Sequence, residues 1–232
     1  MDELQKLKTL TREEFRNICQ TELANGDARF RTVNEELLMA LKIIDKNPRS
    51  VSFFGSARTR EDHTCYEKAR NLARKIAEEL NYTVITGGSL GIMEAANRGA
   101  YEGGGKSVGF NIELPEEQNV NEYVHESVDF HYFFTRKVSL AFSAEAYVFF
   151  PGGFGTLDEF FEILTLVQTK KIEQVPIILF GKEYWSEVHN MIKNLLYGKF
   201  GNIDQEDMSL YTVTDDENEI IDIIKNSPIR KE

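Results

Sequence analysis

The residues of this chain best placed to do chemistry lie in three glycine turns and one separated pair of charges. The turns are Phe54-Gly55-Ser56-Ala57-Arg58, Thr86-Gly87-Gly88-Ser89-Leu90-Gly91 and Pro151-Gly152-Gly153-Phe154-Gly155-Thr156. Each follows an apolar run and precedes an amphipathic stretch. A glycine lets the backbone turn sharply and brings its amides close to a ligand without an intervening Cβ. The helix start beyond it offers unpaired N–H groups and a partial positive charge to an anion. Gly152, Gly153, Gly155 and Thr156 together therefore point to a phosphate cradle. Gly55 alone reads equally well as a strand terminator, and so does Gly181.

The charged pair is Arg136 and Glu159. Thr156-Leu157-Asp158-Glu159 matches a capping box, in which Glu159 would bind the Thr156 amide. Spacing alone favours that reading. Arg136-Lys137 opens a helix, and spacing alone makes it a solvated basic pair. Cations at a helix start oppose the dipole, however, which hints at an anionic partner nearby.

Other chemistries are poorly served. The first turn has one glycine, the second has Thr86 where a dinucleotide fingerprint would begin, and the second strand ends without a carboxylate, so a nicotinamide site is not expected. There is no G-x-x-x-x-G-K-[ST] run. The histidines, at 63, 125, 131 and 189, form no pair with metal-ligand spacing, and no metal is expected. No lysine stands in a recognisable pyridoxal-phosphate context, and no cofactor of any kind is expected.

These turns need a frame. VSFFG, YTVITGG, AYVFFPGG and VPIILFG are almost continuous apolar runs that end in glycine. Such runs mark parallel strands covered on both faces. Strands are expected near 50–54, 82–86, 106–110, 145–150, 175–180 and 210–213, with a weaker one near 128–131. Helices are expected near 63–80, 90–103, 133–143, 156–169, 184–196 and 216–226. The alternation predicts an α/β fold, Rossmann-like and doubly wound, with a mainly parallel sheet and helices on both faces. All three turns then lie on the carboxyl edge, where open sheets bind ligands. Residues 1–48 are expected to form a helical extension and 49–232 the Rossmann-like domain. The extension opens with the capping box Thr11-Arg-Glu-Glu14. Its second helix carries the apolar stripe Phe30-Val33-Leu37-Leu41, which suits an intrachain core or a subunit contact equally. Asp215-Asp216-Glu217 opens the last helix.

With 232 residues, 41% hydrophobic and 28% charged, the chain is globular and can bury a full core. The net charge of −11 disfavours a general grip on nucleic acid. No apolar run approaches the ~20 residues of a membrane span. Cys19 and Cys65 are isolated, which suits a reducing cytoplasm, and nothing at the N-terminus resembles a signal peptide.

Pro151-Gly-Gly-Phe-Gly-Thr-Leu-Asp-Glu159 resembles the PGGxGTxxE motif of the Lonely Guy (LOG) family of nucleoside 5′-monophosphate phosphoribohydrolases, some of which activate cytokinins. The family's Arg-Lys pair has its counterpart in Arg136-Lys137, 23 residues before Glu159. Gly91-Ile-Met-Glu-Ala-Ala-Asn-Arg-Gly-Ala100 and the Glu-Leu-Pro-x-Glu-Gln run resemble the family's longer branch. The likeness extends from about Val51 to Trp185. Two departures bear on base preference: Gly87-Gly88-Ser89 replaces a fuller glycine run, and Glu94 follows Met93 where short members often have glycine.

The resemblance implies hydrolysis of a purine nucleoside 5′-monophosphate, AMP or a cytokinin riboside monophosphate, to free base and ribose 5-phosphate. It makes Arg136 and Glu159 catalytic. It places Gly55, Ser56, Gly87, Gly88, Ser89, Met93, Glu117, Lys137, Gly152, Gly153, Gly155, Thr156 and Thr165 on the substrate. Glu117 reads equally as a surface acid and Thr165 as a buried helical residue. The resemblance also implies at least a homodimer, with no nucleic-acid or membrane partner. The alternative is a non-catalytic carrier or sensor of a phosphorylated ligand, since molybdenum-cofactor carriers resemble this fold.

Overall fold

The computed structural model describes residues 28–114 and 120–230. The helix expected after Thr11, Cys19 and Glu117 lie outside the described residues. The strands are β1 (Ser50–Phe54), β2 (Thr83–Thr86), β3 (Ser107–Ile112), β4 (Glu126–Phe130), β5 (Ala146–Phe149), β6 (Ile177–Phe180) and β7 (Thr212–Thr214). They form one seven-stranded sheet in the order β4-β3-β2-β1-β5-β6-β7, and every pair is parallel. The helices are α1 (Ala28–Lys46), α2 (Thr64–Lys75), α3 (Ile92–Glu102), α4 (Phe133–Phe142), α5 (Phe154–Gln168), α6 (Lys182–Met191) and α7 (Glu217–Asn226). Helices α2 and α6 run on without a break through Ile76–Leu80 and Ile192–Lys199.

The expected doubly wound fold is present. β1, β2, β5 and β6 are buried along their whole length because helices cover both faces. Alternate strand residues serve two cores. Phe54, Ile85, Phe110 and Phe149 face α1, α4, α5 and α6, while Val51, Phe53, Val84 and Val148 face α2, α3 and α7. β4 is an edge strand and alternates, with Val128 and Phe130 buried and Ser127 and Asp129 exposed. That half-polar pattern explains its weaker sequence signal.

Helix α1 departs from the expected stripe. Glu36, Ala40 and Ile43 are buried, whereas Phe30 is 68% and Leu41 48% exposed. The inward line is one residue short of the apolar stripe, and it includes a carboxylate. Ala40 and Ile43 join the same core as Leu140 and Phe160, so the extension is packed into the domain.

Strand order decides where a ligand can sit. The chain runs outward from β1 to β4 and then returns to place β5 on the other side of β1. The loops after β1 and β5 therefore leave in opposite directions and open a crevice between them. The Ser56 amide donates to the Pro151 carbonyl at 3.1 Å and ties the two loops together.

Candidate active site

A cleft of about 760 Å³ occupies this crevice. Gly55, Ser56, Gly87, Met93, Gly152, Gly153, Gly155 and Thr156 line it, together with Arg136 and Glu159. Residues spread over a hundred positions thus meet, as the glycine pattern implied. Arg58, Leu114, Phe133 and Phe154 also line it and had no role in the sequence reading. Phe154, at the first position of α5, is 94% exposed. An apolar side chain on a polar turn was the available signal for it.

The turn after β5 is open to an anion. Helix α5 begins after Gly153 with no side-chain cap. A Cβ at Gly153 or Gly155 would meet nothing within 4 Å, so the backbone there faces free space. Three other helix starts already hold a side-chain acceptor from within. Asp215 accepts from the Gly181 and Lys182 amides at 2.9 Å before α6, Asp216 caps α7, and His63 caps α2. Gly181 thus has its anion in the protein, and the turn at Gly152 does not. Tyr184, whose hydroxyl donates to the Gly152 carbonyl at 2.8 Å, props that turn from behind.

The second turn is built by a polar network. Thr86 Oγ1 accepts from the Gly88 amide at 2.8 Å and donates to Asn97 Oδ1 at 2.7 Å. Asn121 Nδ2 donates to Asn97 Oδ1 at 2.9 Å and to the Gly88 carbonyl at 3.0 Å. This is why a threonine ends β2. It also turns Gly88 inward, at φ +73°, where any Cβ would collide with Asn111 Oδ1 at 1.7 Å. Gly88 and Ser89 are therefore not on the cleft wall; Gly87 alone of that run is. A Cβ on Gly87 would stand 2.3 Å from Arg136 Nη2 and 2.7 Å from Met93 Sδ. Glycine here makes room for the arginine.

Arg136 projects from the first turn of α4. Its Nε donates to the Phe110 carbonyl of β3 at 2.7 Å, which fixes the guanidinium in place. Burial pushes its pKa down, and the negative charge of Glu159 opposes that push. An arginine stays protonated nonetheless.

Glu159 is not a capping residue. Helix α5 starts at Phe154, so Thr156 is its third residue and cannot be the cap. The capping-box reading fails because the helix begins earlier than that motif requires. Glu159 is instead 7% exposed, and its Oε2 has no hydrogen-bond partner among the described residues. Burial raises its pKa from 4.5 to about 7, against the lowering influence of Arg136 and Lys137 and with the added repulsion of Glu162 and Asp158. A buried, unpaired carboxylate with such a pKa at a cleft is a mark of a functional group.

Lys137 points elsewhere. Its Nζ bonds Asp158 at 2.8 Å and Glu162 at 3.1 Å, beside the cleft and not in it. The anionic partner hinted at for the basic pair is, for Lys137, α5 itself. Thr165 is exposed and donates to the Phe161 carbonyl of its own helix at 2.6 Å, away from the cleft-lining residues and neither buried nor on the cleft. The histidines serve structure: His131 pairs with Glu113 and His189 with Tyr211. Among the described residues no three His, Cys, Asp or Glu side chains converge to hold a metal.

Fold and cleft define the class: a Rossmann-like α/β protein with an anion-receptive crevice at the switch point of a parallel sheet. The sequence model of the family described as "possible lysine decarboxylase" matches residues 93–224, more than half of the chain. The chain belongs to that family, the LOG family. It is 30% identical over 127 residues to the probable cytokinin riboside 5′-monophosphate phosphoribohydrolase LOGL3 of Oryza sativa subsp. japonica, across 52% of this chain and 57% of that one. It is 28% identical over 152 residues to the cytokinin riboside 5′-monophosphate phosphoribohydrolase of Rhodococcoides fascians, across 63% and 75%. The chain spans about half the length of the first curated relatives it matches. Among solved structures it is similar to the Moco carrier protein of Chlamydomonas reinhardtii, with 26% identity, a TM-score of 0.55, and 76% and 95% of the two chains covered.

Proposed function

We propose that this protein hydrolyses the N-glycosidic bond of a purine nucleoside 5′-monophosphate, AMP or a cytokinin riboside monophosphate, to free base and ribose 5-phosphate. One observation carries the reading: a buried, unpartnered carboxylate, Glu159, stands less than two turns from the uncapped start of α5 and within the field of Arg136. The phosphate sits on the amides at the start of α5, where Gly153 and Gly155 leave space. Arg58, at the cleft wall, adds a cation. The ribose then reaches Glu159. As the C1′–N bond breaks, its electron pair leaves with the base and positive charge develops at C1′ and the ring oxygen. Glu159 stabilises that charge and accepts a proton from the water whose oxygen bonds to C1′. One water is consumed: its hydroxyl ends on C1′, the proton taken up by Glu159 passes to solvent, and the departing base takes up a proton from solvent. Arg136 orients Glu159 and the ribose phosphate and donates no proton in the reaction. Phe133 and Phe154 supply the apolar wall against which a base can lie.

A lysine decarboxylase activity fits the cleft poorly. No described residue lining it is a lysine, and Lys137 is held by Asp158 and Glu162, so an amine for a pyridoxal Schiff base is missing. A carrier of a phosphorylated ligand is the second reading, favoured by the likeness to the Moco carrier protein. A homodimer is part of the proposal: Phe134, Val138 and Phe142 form an exposed apolar line along α4, next to the site.

Incubation with AMP, GMP, CMP, isopentenyl-AMP and adenosine, followed by chromatography, tests the reading. Free base with ribose 5-phosphate from a nucleotide, and far slower cleavage of adenosine, is the expected result. Bound but intact nucleotide after long incubation supports the carrier.

A further inference from the structure

Helix α4 carries Arg136 and is gripped at both ends by side chains from opposite ends of the chain. At its start, Glu36 of α1 is 5% exposed. Its Oε1 accepts from the His131 amide at 2.8 Å, and its Oε2 accepts from the Thr135 hydroxyl. The acid thereby satisfies groups at a helix N-terminus that no side chain of Tyr132 caps, and its sign suits the dipole there. At the far end, the guanidinium of Arg230 donates to the carbonyls of Ala141, Phe142 and Ala144. The Arg230 amide and guanidinium also engage Glu145. A cation there suits the opposite pole. Thr135, one of the two groups that Glu36 holds, immediately precedes Arg136, and Phe133 of the cleft wall lies between His131 and Thr135.

We infer that Glu36 is a positioning residue of the active site: by holding the start of α4 it sets Arg136 in the cleft opposite Glu159, which makes α1 a part of the site. The inference rests on the roles proposed above for Arg136 and Glu159. Its geometry does not. Arg230 anchors the far end, so the start of the helix is the end free to shift when Glu36 is lost. Arg136 could then leave the Phe110 carbonyl, and Glu159 would lose the cation that most opposes its burial; Lys137, Asp158 and Glu162 would remain around it.

The test is the titration of Glu159 without substrate, read by ¹³C NMR of its carboxyl carbon and identified by the signal that Glu159→Gln removes. In Glu36→Ala the midpoint is expected to rise above that of the native protein. The kcat/KM for the nucleotide should fall by roughly 10–100-fold, the scale of a misplacement near 1 Å. A lowered Tm with an unchanged Glu159 midpoint would overturn the inference, because a merely structural role leaves Arg136 in place. Should Glu36→Ala fail to fold, Thr135→Val removes one of the two bonds and is read in the same way. If the native protein cleaves no nucleotide, the hydrolase reading fails, while the midpoint comparison still decides the role of Glu36.

Discussion

Replacing Glu159 by glutamine should stabilise the protein while disabling it, and the structure says by how much and at which pH. The carboxylate is 7% exposed and its folded-state pKa is raised from 4.5 to about 7. That gap corresponds to about 3 kcal/mol held against folding once the group is ionised, at ~1.4 kcal/mol for each tenfold. The sign follows from proton binding. Between pH 4.5 and about 7 the folded protein holds more protons than the unfolded chain, so stability falls as pH rises through that window. Glutamine cannot ionise and escapes this loss. The attraction of Arg136 is already contained in that pKa. The variant should thus match the native protein near pH 4.5 and exceed it by up to about 3 kcal/mol at pH 8. Urea unfolding of both proteins at the two pH values measures the difference. In the same variant kcat should drop at least ~100-fold, since an amide neither takes a proton from water nor offsets charge at C1′. A glutamine variant that is less stable at both pH values would refute the buried, unpaired state of Glu159. One that keeps native kcat would refute its role as base.

The remaining expectations are brief. The kcat/KM of the native protein should rise with pH through about 7 and level off above it, because Glu159 works as the carboxylate; a flat profile from pH 5.5 to 8 contradicts this. Gly87→Ala sets a methyl 2.3 Å from Arg136 Nη2 and 2.7 Å from Met93 Sδ, so the buried guanidinium must shift from its bond to the Phe110 carbonyl: Tm should fall and kcat/KM should drop by about 100-fold. Equal activity in that variant would remove Arg136 from the mechanism. Light scattering at micromolar concentration should give at least a dimer. A mass near 27 kDa alone would contradict the proposed contact through Phe134, Val138 and Phe142.

Much of this protein was legible from its order of residues. Short-range patterns were enough to mark the doubly buried strands, the glycine turns on their carboxyl ends and the polar opening of α7 at Asp216. These features depend on local geometry: a strand covered on both faces must be apolar throughout, and a chain leaving it for a helix must turn sharply. The glycines around Gly152 pointed to a phosphate site for the same reason, whereas spacing alone left Arg136 as a solvated cation and Glu159 as a capping residue.

Non-local packing decided the rest. That β5 returns to pair with β1, and so opens the crevice between the Gly55 and Gly152 turns, is set by the packing of the whole sheet and by no local pattern. The start of α5 at Phe154 is likewise a tertiary outcome. Tyr184 and the tie between Ser56 and Pro151 hold the Gly152 turn so that the helix begins two residues ahead of Thr156, which frees Glu159 from capping. Whether a charge is buried depends on its neighbours from distant parts of the chain. Lys137 finds Asp158 and Glu162, Glu159 Oε2 finds no hydrogen-bond partner among the described residues, and Glu36 turns inward among apolar residues because the start of α4 needs an acceptor there. Periodicity assigns a polar residue to solvent by default. Only the assembled fold shows which acids it keeps inside.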